Sequence, residues 1–336
     1  MTITLADIEN AARRIAGRIS QTETLASPIL SERIGVPVHL KMESRQTTGS
    51  FKLRGASNAV ALLKGHTRQG GVVAASTGNH GRALAHAAKL EGIRSVICMS
   101  SLVPANKRAE IERLGAEIRI VGKSQDEAQE EAERLASNHG LQMVPPFDHP
   151  RIIAGQGTIG LEMMEAVPDA ATVLVQLSGG GLASGIAAAV KAINPDTRII
   201  GISMARGAAM KASLDAGRPI NVEELPTLAN SLGGGIGLDN RLTFAMCRDL
   251  LDDIVLLSEH QIAEGVRYLY TFEREIAEGA GAVGVAALLA GKVQANGPIV
   301  ALVSGSNIDT DLHRQIINGQ PTEFERLDTE RNGRAA

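Results

Sequence analysis

The stretch Thr172 to Val190 reads TVLVQLSGGGLASGIAAAV, and three different characters follow one another within it. Thr172 to Leu177 is a short apolar run with β-branched residues, the composition of a strand buried on both faces. Gly179, Gly180 and Gly181 allow a tight turn. From Leu182 to Ile193 small and apolar residues continue at helical spacing. The uncharged run from Ala170 to Val190 is long enough to cross a bilayer, but Gln176, Ser178 and the glycines at its centre favour strand, turn and helix over a span. A strand that passes through glycines into a helix is half of a βαβ unit, so the stretch points to parallel sheets.

Working outward, the same alternation recurs along the chain. Strands are expected at Val36 to Glu43, Gly71 to Ser76, Arg94 to Ser100, Glu117 to Val121, Thr172 to Leu177, Arg198 to Met204, Asp253 to Leu257 and Pro298 to Val303. Helical patterns lie between them at Gly81 to Leu90, Asn106 to Leu114, Gln125 to Ser137, Leu182 to Ile193, Gln261 to Phe272 and Ala282 to Ala290. The predicted class is α/β, with two open, mostly parallel sheet domains flanked by helices. From Gly71 to Gly140 the units are compact and their helices are laced with charge, as in QDEAQEEAERL, and MVPPFDHP, with Pro145, Pro146 and Pro150, resists both helix and central strand. We therefore expect a small mobile domain at 70–144, inserted into a larger domain made of 1–69 and 145–320. A C-terminal tail at 321–336 is expected to be frayed from Thr322 onward.

Length and composition narrow the function. The chain has 336 residues, enough for two domains, with 44% hydrophobic and 21% charged residues, the balance of a folded globular protein. The net charge is −3, and Lys and Arg are spread along the chain without a basic block, so nucleic acid is not an expected partner. Aromatic residues are 2% with no Trp, which leaves little material for base stacking. Cys98 and Cys247 form no CxxC and no paired spacing, so neither a zinc site nor a disulfide framework is indicated. The first residues, MTITLADIENAARRIAG, read as an amphipathic helix and not as a signal peptide, so a cytoplasmic location and no membrane partner are expected.

Four segments carry candidate chemistry. In SRQTTGSFKLRG, Ser44 to Gly55, Lys52 falls at a helix start between Phe51 and Leu53. Burial between these neighbours, with Arg54 nearby, would depress its pKa and make it a nucleophile, although a lone lysine at a helix start is more often a solvated surface residue. In STGNHG, Ser76 to Gly81, a strand ends and a helix begins, so that Ser76, Thr77, Gly78, Asn79 and His80 offer an anion site suited to a substrate carboxylate. The bland alternative is a capped turn with no ligand. Ser178, Gly179, Gly180, Gly181 and Leu182 form a second strand-to-helix turn fit for a phosphate. The dinucleotide pattern is missed there, because its last glycine would stand at Ser184, and a side chain at Gly180 is expected to intrude on a bound dianion. Finally ALVSGSN places Ser304 at a late strand end, where it could share one crevice with the Ser178 loop.

These segments, in this order, resemble the fold type II pyridoxal 5'-phosphate enzymes, also described as tryptophan synthase beta-like. The closest likeness is to their threonine and serine dehydratase and serine racemase branch. The resemblance runs from Ile8 to about Ile317 and includes IAGQGTIGLEM, Ile153 to Met163, and AEGAGAVGVAALLAGK, Ala277 to Lys292. It implies that Lys52 carries the cofactor as a Schiff base and afterwards takes the substrate's α-proton. It also implies that Phe51 packs beside the ring, Asn79 meets the phenolic oxygen, Ser178 to Leu182 hold the phosphate and Ser304 meets the pyridine nitrogen. The implied reaction is β-elimination from a hydroxy amino acid to a 2-oxo acid and ammonia, by a homodimer or higher homo-oligomer.

Departures from the pattern refine that expectation. Ser203, with Arg206 nearby, stands where the branch commonly has a cation-binding glutamate, so no metal is expected. Thr77 stands where racemases carry a serine acting on the second face, which keeps an amino-acid racemase as the alternative enzyme. SLGGGIG, Ser231 to Gly237, leaves room for a larger substrate, and with SMARGAAM it is similar to the dehydratase-type enzymes of hydroxyectoine utilisation. A phosphate-ligand binding protein without catalysis is the remaining alternative.

Overall fold

The computed structural model describes residues 3–76, 78–103, 105–294 and 296–327. Its strands are β1 (Thr24–Ala26), β2 (Val38–Met42), β3 (Val72–Ala75), β4 (Ser95–Met99), β5 (Glu117–Ile120), β6 (Gln142–Met143), β7 (Thr172–Gln176), β8 (Arg198–Met204), β9 (Asp253–Leu257) and β10 (Ile299–Val303). They form a six-stranded sheet in the order β1-β2-β10-β7-β8-β9 and a four-stranded sheet in the order β5-β4-β3-β6. Every pairing is parallel except β1 with β2. This is the α/β architecture of two open, mostly parallel sheets read from the alternation. The two shortest strands, β1 and β6, carry too few residues for a period to show.

Both faces of the larger sheet are buried. Leu174, Ile200, Ile202 and Val303 pack one way, against Ile262, Val266 and the helix Gly279–Leu289. Val173, Val175, Ile199 and Leu302 pack the other way, against the helix Gly181–Ile193. Alternate residues of one strand thus enter different cores, which is why these strands read as unbroken apolar runs. The 170–190 run resolves into β7, a turn and the helix from Gly181, and among the described residues no helix is long and apolar enough to cross a membrane.

The four-stranded sheet is built wholly from residues between Val72 and Met143. Beyond β6 the chain runs without helix or strand from Val144 to His149, and Pro150 then begins a 17-residue helix, Pro150–Ala166, at a position where its missing N–H costs nothing. At the C-terminus the expected fraying does not begin at Thr322. Thr322 is fully buried, residues 323–327 form a helical turn, and Phe324 packs on the core of the larger sheet. Thr322 caps that turn by accepting a hydrogen bond from the Glu325 N–H, a tie that composition alone does not reveal.

β7 and β10 are neighbours, with Thr172 in register with Ile299. Chain order departs from β7 toward β8 on one side, while β10 returns on the other. The crevice beyond their carboxyl ends is therefore a topological switch point, the place where open α/β sheets hold ligands.

Candidate active site

Lys52 is the first residue of the helix Lys52–Ala61. The loop before it is tied to the end of β10, since Ser50 bridges Gly305 and the Phe51 N–H donates to the Ser304 carbonyl at 3.1 Å. The helix is anchored from behind by Arg54, fully buried, whose guanidinium bonds Glu43 at 2.7 Å, Glu162 at 2.6 Å and Thr158 at 3.0 Å. Burial alone would raise the Glu43 carboxyl, but the charge and hydrogen bonds of Arg54 overcome it and hold the group below the usual carboxylate range. Arg54 therefore points away from Lys52 into its own ion cluster, and the expectation that it lowers the lysine pKa is corrected. Burial does lower it, as the sequence leads one to expect, to about 8, against the opposing pull of Glu278. The Lys52 Nζ donates to the Pro146 carbonyl at 2.9 Å and stands 5.4 Å from the centre of the Phe51 ring.

The pocket in front of Lys52 is lined by Phe51, Asn79, Phe147, Gln176, Ser178 to Leu182, Ser231, Leu232, Glu278, Ala280 and Ser304, and its empty space together with its open mouth is about 490 Å³. The structure thus brings together Phe51, Lys52, Asn79, Ser178, Gly179, Gly180, Gly181, Leu182 and Ser304 around one space. Ser304, 2% exposed, follows directly on β10. Gly180 is the N-cap of the helix Gly181–Ile193, and no side chain caps that helix start. Its first N–H groups are left to whatever enters the pocket.

The three glycines have a second cause. A Cβ on Gly179 would lie 2.4 Å from the Phe147 ring, and one on Gly181 would lie 2.8 Å from the Phe147 carbonyl oxygen. Gly180 has φ +87°, and its Cβ would point at Met210, Thr243 and Cys247 within 3.0 Å, none of which lines the pocket. A side chain at 180 would collide with the core and not with a ligand, contrary to the sequence expectation.

Of the STGNHG loop, Asn79 lines the pocket. The Ser76 hydroxyl accepts the Gly81 N–H at 3.2 Å, Gly78 precedes the helix Asn79–Leu90, and the buried His80 ring bonds the Val144 carbonyl at 2.7 Å. Burial first, and the Lys52 charge second, press His80 to about 4, so it is neutral at physiological pH. Thr77 lies outside the described residues. Elsewhere, Ser203 is buried in β8 beside the Met204 sulfur, and Arg206 reaches the Phe324 carbonyl at 3.5 Å. Ser231 and Leu232 are the residues of the SLGGGIG loop that line the pocket.

Sequence reasoning missed Glu278, Asn307 and Phe147. Glu278 is buried at the start of the helix Gly279–Leu289; burial raises its pKa to about 7, while bonds from Asn79 and Ser231 and the charges of Arg82 and Lys52 pull it back. Its signal was present as the one charged residue in AEGAGAVGVAALL, and Asn307 ends the SGSN already singled out.

The comparisons with known proteins agree on one family. The profile described as "Pyridoxal-phosphate dependent enzyme" matches residues 15–305. A protein of Sinorhizobium fredii named "Putative threonine dehydratase" is 60% identical, over 94% of this chain and 96% of its own. L-threonine ammonia-lyase of Thermotoga maritima is 43% identical, over 94% of this chain and 78% of its own. Among solved structures, maize serine racemase aligns with a TM-score of 0.89 at 32% identity, covering 95% of this chain and 98% of that one. The processed form of threonine deaminase isoform 2 from Solanum lycopersicum gives 0.86 at 33%, covering 94% and 86%. With its parallel sheets, its lysine and its uncapped helix start meeting in one pocket, the chain belongs to the pyridoxal-phosphate dependent enzymes.

Proposed function

We propose that this chain is a lyase that uses pyridoxal 5'-phosphate to convert a β-hydroxy amino acid into a 2-oxo acid and ammonia. Water leaves the substrate first, and hydrolysis of the resulting enamine then releases the nitrogen. The observation that carries the reading is the Lys52 amine, half neutral near pH 8, facing an uncapped helix start across one pocket.

The residues present fit the cofactor. The buried helix start has N–H groups without a side-chain cap, suited to a phosphate dianion. The Gln176 Oε1 on the pocket wall is buried without a hydrogen-bond partner, an acceptor that a bound molecule can satisfy. When bound, the cofactor supplies an electron sink for the pair left on the substrate's Cα after the α-proton departs. In this reading Ser178, Gly179, Gly180, Gly181 and Leu182 hold its phosphate, Phe51 packs beside it, and Asn79 donates to its phenolic oxygen. Ser304 meets its ring nitrogen with a neutral hydroxyl, which favours rapid elimination over prolonged charge storage. Lys52 would hold the cofactor, and its amine would take the α-proton. Ser76, Thr77, Gly78, Asn79 and His80 receive the substrate carboxylate at the start of the helix Asn79–Leu90. The unit at 70–144 closes on the larger unit, 1–69 and 145–320, to exclude water.

Threonine- and serine-like compounds, or a hydroxylated amino acid derived from hydroxyectoine, are the proposed substrates, and a cytoplasmic homo-oligomer, at least a dimer, is the proposed working form. The similarity to L-threonine ammonia-lyase and to the threonine deaminase supports elimination; that to maize serine racemase makes racemisation the competing outcome. The experiment is to incubate the cofactor-loaded protein in deuterium oxide with a panel of hydroxy amino acids. Oxo acid and ammonia forming faster than inverted, deuterated substrate is the expected result, and the reverse order overturns the lyase reading. Phosphate and cofactor binding with neither product would leave a binding protein.

A further inference from the structure

Asn79 sits in a chain of amides whose direction is fixed by a backbone group. The Thr48 carbonyl can only accept, so the amide atom of Asn307 that lies 2.9 Å from it is the nitrogen. That nitrogen spends its other hydrogen on Asn79 at 2.6 Å, and the Asn79 atom facing it is therefore the oxygen. The far end of the Asn79 side chain is then the NH₂ group, 2.8 Å from the Glu278 Oε1. One of its two hydrogens is taken by Glu278. The other has only the Ser231 hydroxyl at 3.5 Å, the outer limit of a hydrogen bond, and so remains for a ligand in the pocket that Asn79 lines.

From this chain we infer that Asn307 and Glu278 are positioning residues that set the polarity of the Asn79 amide, so that Asn79 presents an N–H to the pocket and not a carbonyl. The inference rests on the reading that the pocket holds pyridoxal 5'-phosphate, whose phenolic oxygen needs a donor. Glu278 by itself does not fix the direction. Burial raises its carboxyl to about 7, so a protonated fraction persists near neutral pH, and a protonated carboxyl could equally donate to a reversed Asn79. Asn307 breaks that symmetry because its own amide is anchored by a group that cannot change role. The anchor is also packed in place: Gly49, at φ +74°, has no Cβ, and one there would lie 2.5 Å from the Asn307 Oδ1. Thr48 and Gly49 belong to the loop that leads to Lys52, so the direction of the Asn79 amide and the position of the lysine are set by the same short segment.

Asn307→Asp tests this, since it keeps the shape and removes both hydrogens. Asn79 should turn its NH₂ toward the new carboxylate and its carbonyl toward Glu278. The expected results are a displaced absorption band of the bound cofactor and a loss of cofactor affinity of about tenfold, the worth of one hydrogen bond to a charged group, with affinity for inorganic phosphate unchanged. Glu278→Gln retains an acceptor for Asn79 and should leave the band where it is. Wild-type band and affinity in Asn307→Asp would overturn the inference, as would a band displacement in Glu278→Gln as large as that of Asn307→Asp; if Asn307→Asp does not fold, a Glu278→Gln band displaced from that of the wild type overturns it and an undisplaced one upholds it. Failure of the wild-type protein to take up the cofactor would instead overturn the reading of the pocket.

Discussion

Lys41 and Lys52 are both withdrawn from solvent to some degree, and their partners separate them. Lys41 is bound to Glu162 at 2.5 Å and to the Thr22 carbonyl at 2.6 Å, so its amine is engaged in an ion pair. Lys52 has a single carbonyl partner and a pKa near 8, so its amine is available to an aldehyde. Borohydride reduction of the cofactor-loaded protein followed by peptide mapping should mark Lys52 and leave Lys41 unmarked, and label on any other lysine would remove the assignment. Lys52→Ala should lower turnover by roughly 10³-fold or more. The sequence was sufficient to single out Lys52, Asn79, the Ser178 loop and Ser304, because each follows a strand end or opens a helix, where local spacing has meaning. Glu278 and Asn307 escaped because what brings them to the site is contact with Asn79 across some 200 residues of chain. Arg54 was misjudged for the same reason: adjacency in sequence put it near Lys52, whereas its helix directs it to Glu43 and Glu162.

The helix Pro150–Ala166 shows what local patterns hide. Gly155, Gly157 and Gly160 make its sequence a poor helix former, and the pattern did not announce it. Each of these glycines sits where a neighbouring element comes too close for a side chain. A Cβ on Gly155 would lie 2.6 Å from the Gly55 Cα, one on Gly157 would lie 2.9 Å from the Gly185 carbonyl oxygen, and one on Gly160 would lie 3.0 Å from that of Ile186. This helix is thus packed backbone to backbone against the helix carrying Lys52 and the helix that opens at the glycine turn. Replacing Gly155 by Ala should therefore destabilise the protein by about 1–3 kcal/mol from overpacking, even though intrinsic propensity favours Ala by about 1 kcal/mol. Because Gly55 is three residues beyond Lys52, cofactor affinity should fall with stability. Urea unfolding and a cofactor titration measure the two effects, and a variant as stable as the parent would refute the packing argument. The strands other than β1 and β6, by contrast, were legible to within two residues or so at each end, since in the central ones burial on both sheet faces writes itself into a continuous apolar run.

At the scale of the whole molecule, the pocket makes the cofactor-free fold depend on pH in a way that can be signed. Glu278 has its pKa raised from 4.5 to about 7, chiefly by burial. Between these values the folded chain holds a proton that the unfolded chain has released, so this group's stabilisation is complete below about 4.5 and is lost as pH rises through about 7. Lys52 has its pKa lowered from 10.5 to about 8, again chiefly by burial. Its stabilisation is present above about 10.5 and is lost as pH falls through about 8. Neither contribution survives between about 7 and 8, so the two groups together carve a trough in stability there. The groups that face Glu278 are Asn79, Ser231, Arg82 and Lys52, and they moderate the trough without inverting it. Each limb has a limiting slope of about 1.4 kcal/mol per pH unit for one proton, and solvent screening of the partly open Lys52 amine narrows the pH window of its limb. Melting curves of protein stripped of cofactor, compared between wild type, Glu278→Gln and Lys52→Met from pH 4 to 11, isolate the terms by difference. The wild type should lose ground to Glu278→Gln between about pH 4.5 and 7 and gain on Lys52→Met between about 8 and 10.5. Differences that stay flat across both windows would mean that neither group titrates as its burial requires, and the chemistry assigned to Lys52 would lose its physical basis.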